Sequence, residues 1–280
     1  MNTCPTCRSC GAALDHTFAD LGLSPVSNAF VKPEDAARGE MFYRLHVQVC
    51  AQCWLVQLAD GGGGAQSHFH DEYVYFSSFS TSWLAHAERY VAAMIGRFAL
   101  DADSSVMEIA SNDGYLLQYF VQAKIPCLGV EPTANTAAAA RKIGVDTREL
   151  FFGRATAALL LAEKGPVDLL LGNNVLAHVP DMNDFVGAMP LMLKPDGVVT
   201  LEFPHLLKLI AENQFDTLYH EHYSYLSLTA LMPVFERAGL RLFDVEHLPT
   251  HGGSLRIYAC RHGARHIDSG NVSTCLEQER

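Results

Sequence analysis

The sequence predicts an α/β fold: a largely parallel sheet covered by helices on both faces, preceded by a small metal-binding module. Three observations carry this. Strand-like apolar runs alternate with helix-period segments between residues 106 and 259. The alternation opens on a strand-to-helix turn, Glu108-Ile109-Ala110-Ser111-Asn112-Asp113-Gly114. Two Cys-x-x-Cys pairs, Cys7/Cys10 and Cys50/Cys53, stand upstream of it.

In chain order, residues 1–60 form the metal module. Gly61 to Gly64 is a flexible break. The aromatic stretch Tyr73-Val74-Tyr75-Phe76-Ser77-Ser78 makes residues 61–82 more than a plain linker, and His68 and His70 within it are expected in solvent. Apolar residues at helical spacing predict a helix from Trp83 to about Leu100. Strands are expected at 106–109, 127–130, 167–171 and 198–202. Helices are expected from Tyr115 onward and over 137–143, 155–163 and 185–193. A late helix over 228–238 ends at Gly239, as helices often do. Strands near 240–245 and 255–259 have no helix between them, so they close as a hairpin with one antiparallel strand. The main domain is read as 83–262, followed by a polar tail, 263–280.

At 280 residues, with 18% charged and 49% hydrophobic side chains, the chain is an ordinary globular protein. A net charge of −11 argues against a nucleic-acid backbone as partner, which needs a basic surface. No apolar run reaches membrane-spanning length and residues 1–10 are no signal peptide, so a cytoplasmic protein without membrane contact is expected. Five of the eight cysteines lie in the first 53 residues. Two spaced pairs read as a four-thiolate structural zinc site with no position open to substrate. Cys7 and Cys10 are preferred to Cys4 because Gly11 eases the tight turn after Cys10, with Cys4 left as spare or alternative ligand. Isolated Cys127, Cys260 and Cys275 are read as small apolar residues.

The turn after the 106–109 strand has the form of a nucleotide site. Gly114 permits positive φ or close approach of a ligand. Glu131, 18 residues after Asp113, stands where a carboxylate accepts ribose hydroxyls. Ala110 and Asn112 occupy glycine-like places, which disfavours a pyrophosphate dinucleotide and suits S-adenosylmethionine. Glu108, Ala110, Asn112, Gly114, Glu131 and Asn173 are therefore the candidate cofactor residues. The alternative is an ordinary turn capped by Asn112 or Asp113.

Phe203 to Ser227 is long for an α/β loop and carries Tyr219-His220-Glu221-His222-Tyr223. Histidine is the side chain best suited to proton transfer near neutral pH. Competing readings are a metal site, because His220 and His222 on a strand would share a face, and a solvated loop. Tyr223 and Tyr225 read as packing residues, and His178 as a site residue or a satisfied core histidine.

These residues resemble the sugar C-methyltransferases that act on nucleotide-linked 4-keto-6-deoxyhexoses. The resemblance runs from Cys7 to Cys260. It rests on Cys7–Gly11, Asp20-Leu21-Gly22, Pro25, Asn28, Cys50–Cys53, Tyr73–Ser78, Glu108–Leu117, Gly172–Asp181, Tyr219–Tyr225 and His251-Gly252-Gly253-Ser254. It implies a Rossmann-like, seven-stranded S-adenosylmethionine methyltransferase sheet preceded by a small zinc-binding module. It implies His222 as the base that removes the proton beside the ketone, with Tyr219 and Glu221 orienting it or the enolate. Tyr73, His178 and His251 would face the sugar. Family members usually continue into another α/β domain, so the tail is expected to be the start of a missing C-terminal domain. The rival functions are an O- or N-methyltransferase, a non-catalytic cofactor- or nucleotide-binding fragment, and a zinc-ribbon nucleic-acid methyltransferase, which the acidic charge counts against.

Overall fold

A computed structural model describes residues 5–28, 30–59 and 73–280. The glycine break at 61–64, His68, His70 and Cys4 lie outside the described residues. Two sheets organise the chain. The larger has seven strands in the order β10-β11-β8-β7-β4-β5-β6. These are β4 (Val106–Ile109), β5 (Cys127–Val130), β6 (Thr147–Arg148), β7 (Val167–Asn173), β8 (Leu193–Pro204), β10 (Leu240–Leu248) and β11 (Ser254–Arg261). Only β11 runs against its neighbours: the expected closing hairpin is antiparallel, and its second strand inserts between β8 and β10. Every residue of β4 is buried, which is the mark of a central strand with helices on both faces.

Three helices open on a side-chain cap. Ser80 accepts the Trp83 N–H and opens helix Thr81–Phe98. Asp181 does the same for Met182–Met192, and Ser227 for Leu228–Arg237. Strand β6 was not foreseen, because two residues carry no periodicity.

The smaller sheet has the order β1-β2-β3-β9, formed by His16–Ser24, Tyr43–Val49, Val56–Leu58 and Ser224–Tyr225. Leu45, Val47, Val56 and Leu58 pack beneath it against Leu206, Leu209, Leu218 and Tyr225. Its last strand therefore belongs to the 203–227 segment. That segment is not a plain loop: it contains helix Leu206–Ala211, a 3-10 turn at Phe215–Thr217 and β9.

Residues 263–280, polar in sequence, also carry structure. Asn271–Gln278 is a helix whose Cys275 is buried. Glu279 beyond it accepts from the Leu228 and Thr229 N–H groups at 2.7 Å, from Thr229 Oγ at 2.6 Å and from His205 Nε2 at 2.8 Å. A carboxylate at a helix N-terminus satisfies donors the helix leaves free. No helix among the described residues is long and apolar enough to cross a membrane.

Candidate active site and metal centre

The metal centre is built from two matched turns. Cys7 and Cys10 flank one, and Cys50 and Cys53 the other. Gly11 N–H donates to Cys7 O at 2.9 Å and Trp54 N–H to Cys50 O at 3.0 Å. Both residues that close the turns have positive φ, 76° at Gly11 and 62° at Trp54. The four sulfurs lie within 4.8 Å of one another, with Cys7–Cys53 at 3.4 Å and Cys10–Cys50 at 3.5 Å. Tetrahedral zinc with 2.3 Å bonds needs sulfurs about 3.8 Å apart, close to this spacing. Gln57 Nε2 donates to Cys7 Sγ at 3.2 Å, an outer contact of the kind that orients a thiolate ligand.

The principal cavity, about 890 Å³, opens at the carboxyl ends of β4, β5, β7 and β8. Ligands bind at that edge in open α/β sheets. Of the residues expected to serve the site, it gathers Ala110, Asn112, Glu131, Asn173, Tyr73, His178, Tyr219, Glu221, His222 and His251. It does not bring Glu108 or Gly114 to the wall. Glu108 is fully buried beneath the turn beside Tyr115, and burial pushes its carboxyl well above the usual range. Gly114 has φ 79°, and a Cβ there would stand 3.1 Å from Val145 and 3.2 Å from Ala140. In this structure it packs the turn from behind the cavity wall.

Glu131 fits a ribose. Its Oε2 accepts the Asn112 N–H at 2.8 Å, and its Oε1 accepts Thr133 N–H at 3.0 Å and Thr133 Oγ at 2.5 Å. A carboxylate offers about four acceptor positions, so one remains for a hydroxyl. The Asn112 side chain is used differently from expectation. Its Oδ1 accepts Ser77 N–H at 2.9 Å and its Nδ2 donates to Tyr75 O at 3.1 Å. It thereby latches the aromatic segment over the turn, while Asn135 Nδ2 holds Tyr73 O at 2.7 Å.

Across the cavity, His222 Nδ1–H donates to Thr217 O at 3.0 Å. A carbonyl only accepts, so this bond fixes the tautomer and leaves the Nε2 lone pair toward Tyr219 Oη, 2.8 Å away. Burial pushes the His222 pKa down to about 4. The imidazole is therefore neutral at pH 7. The His178 ring meets it edge-on, with centroids 4.7 Å apart. Glu221 Oε1 accepts Asn28 Nδ2 at 2.8 Å and Ser27 Oγ at 3.2 Å. Burial, and next the Glu221 charge, hold the Tyr73 and Tyr219 phenols well above their usual pKa. Both stay proton donors.

Among the described residues the pentad joins no cluster of metal-ligating side chains. His220 and Glu221 sit in a turn rather than a strand, and His220 packs toward Tyr43, with ring centroids 6.1 Å apart. Sequence reasoning missed Thr217, whose backbone oxygen leaves no trace in residue type. It also missed Trp83 as a wall residue, stacked on His86 at 4.8 Å and met edge-on by His251 at 5.0 Å.

The seven-stranded sheet with its cavity at the carboxyl strand ends and the four-thiolate cluster upstream define a methyltransferase-type fold joined to a zinc-type module. A family model of a methyltransferase domain matches residues 83–245, and one of a zinc binding domain matches residues 7–61. The chain belongs to this methyltransferase family, with the zinc module at its N-terminal side. It is 34% identical over 274 residues to C-methyltransferase NovU of Streptomyces niveus, covering 98% of this chain and 65% of that protein. Over 34% of the chain it is 28% identical to the ubiquinone biosynthesis O-methyltransferase of Rhodopseudomonas palustris, covering 38% of that enzyme. The chain thus spans less than two thirds of the length of these relatives. A methyltransferase of Anabaena variabilis aligns with TM-score 0.52 at 15% identity, covering 64% of this chain and 87% of that one. Magnesium protoporphyrin IX methyltransferase of Synechocystis aligns with TM-score 0.50 at 15% identity, covering 64% and 82%. These two likenesses concern the fold alone.

Proposed function

We propose that the chain is a C-methyltransferase that methylates the carbon beside the ketone, C3, of a nucleotide-linked 4-keto-deoxyhexose in deoxysugar biosynthesis. The observation that carries this reading is the neutral His222 with its Nε2 lone pair directed at Tyr219 inside the cavity. A carbon beside a ketone becomes a nucleophile only after losing its proton, which calls for such a base. The name of NovU supports transfer to carbon. Among the described residues the cavity wall has no Lys or Arg, and Glu131, Asp181, Asp184, Asp216 and Glu221 line it. Such a wall suits the uncharged sugar rather than the diphosphate.

Glu131, Ala110 and Asn173 would hold S-adenosylmethionine, which when bound supplies an electrophilic methyl. Tyr219 Oη takes the C3 proton as its own proton passes to His222 Nε2, and the C–H electron pair becomes the enolate. The buried imidazolium is offset by the enolate charge. Tyr73 and His178 donate to the enolate oxygen. Cys7, Cys10, Cys50 and Cys53 would hold zinc away from the chemistry. Incubating the 4-keto sugar nucleotide with the chain and labelled S-adenosylmethionine tests this. A labelled methyl that NMR places on a C–C bond supports the reading; a label carried on oxygen or nitrogen refutes it.

A further inference from the structure

Two side chains of the metal module reach the active site. Asn28 lines the cavity at φ 59°, a left-handed conformation that asparagine adopts more readily than most residues. From there its Nδ2 donates to Glu221 Oε1, and Ser27 Oγ donates to the same oxygen. Glu221 is 2% exposed, and a carboxylate so buried depends on its donors. A second link runs through the small sheet. Leu58 N–H donates to Tyr223 O at 3.0 Å, and Gln57 pairs with Ser224, two residues past His222. The side chain of the same Gln57 donates to Cys7 Sγ and accepts the Arg8 N–H. The thiolate cluster and the catalytic segment are thus tied at two points.

We propose that Asn28 is a positioning residue: it holds the Glu221 carboxylate, and with it the 219–225 segment, so that the active site is complete only when the zinc module is folded. Burial aside, Glu221 in turn lies close enough to the Tyr73 and Tyr219 phenols to hold their pKa up. The step affected rests on the C-methyltransfer reading; the positioning itself does not.

The test compares zinc-loaded wild type with Asn28→Ala and Asn28→Asp. Asp matches Asn in shape and tolerance of positive φ, but it lacks the donor and adds a like charge. A charge-assisted bond of this kind leads us to expect kcat lower by about tenfold in Asn28→Ala and about a hundredfold in Asn28→Asp. KM for S-adenosylmethionine and zinc content should stay at wild-type values. Hydrogen exchange of the peptide spanning 218–226 should accelerate in both variants, and on zinc chelation, while peptides of β4 and β7 keep their rates. Asn28→Asp indistinguishable from wild type would overturn the proposal, because shape alone would then suffice. So would unchanged exchange at 218–226, whatever the substrate. If wild type transfers no methyl to the keto sugar, the reaction reading fails, and the exchange comparison alone decides the positioning claim.

Discussion

Tyr219 Oη stands 2.8 Å from His222 Nε2 while the other ring nitrogen is committed to the Thr217 carbonyl. On the C-methyltransfer reading proposed above, the base is reached through the phenol, and Tyr219 is more than an orienting group.

Tyr219→Phe keeps the ring and removes the relay. Loss of a positioned proton-transfer group costs about 10²–10⁴-fold in kcat, with cofactor affinity unchanged. Steady-state kinetics checks this, and a kcat within threefold of wild type would remove Tyr219 from the proton path.

His222 also links stability to pH. Its pKa is pushed down to about 4 by burial, from an ordinary 6.5. Between those values the unfolded chain binds the proton and the native one does not, so stability is full above pH 6.5 and falls toward pH 4. The shift corresponds to about 3 kcal/mol over the window. Urea unfolding of wild type and His222→Gln at pH 7.5 and 4.5 should show the steeper loss in wild type. Equal losses would mean that His222 is not buried as a neutral ring.

Glu131→Gln retains the shape and weakens the acceptor offered to the cofactor. Calorimetric titration should show S-adenosylmethionine bound about tenfold more weakly, near 1.4 kcal/mol. An unchanged Kd would place the ribose elsewhere.

Zinc should be present at one ion per chain. Chelation, or Cys50→Ser, should lower the midpoint of thermal unfolding, since structural zinc contributes up to ~10 kcal/mol to small modules. A metal-free chain with the same midpoint would contradict a structural role.

Much of this was legible in the sequence because it is local. The strand at Val106–Ile109, the cysteine pairs and Glu131 each announce themselves through spacing. What escaped was non-local. Ser224–Tyr225 completes the metal module's sheet through a pairing with Val56 and Gln57 far back in the chain. Asn28 and Glu221 meet across 193 positions, and no periodicity encodes that. That Glu108 and Gly114 lie behind the cavity wall has a different reason. A turn built to hold a ligand needs packed residues behind it, and residue type does not separate the packed from the exposed.

On the proposed reading this cavity generates a carbanion equivalent beside a ketone, which can be observed without methyl transfer: the 4-keto sugar nucleotide is incubated in deuterated water with the chain and S-adenosylhomocysteine, and C3 is read by mass spectrometry. Deuterium is expected at C3 with wild type and none above background with His222→Gln. Methyl transfer to the sugar with no deuterium uptake, or uptake undiminished in His222→Gln, would contradict it.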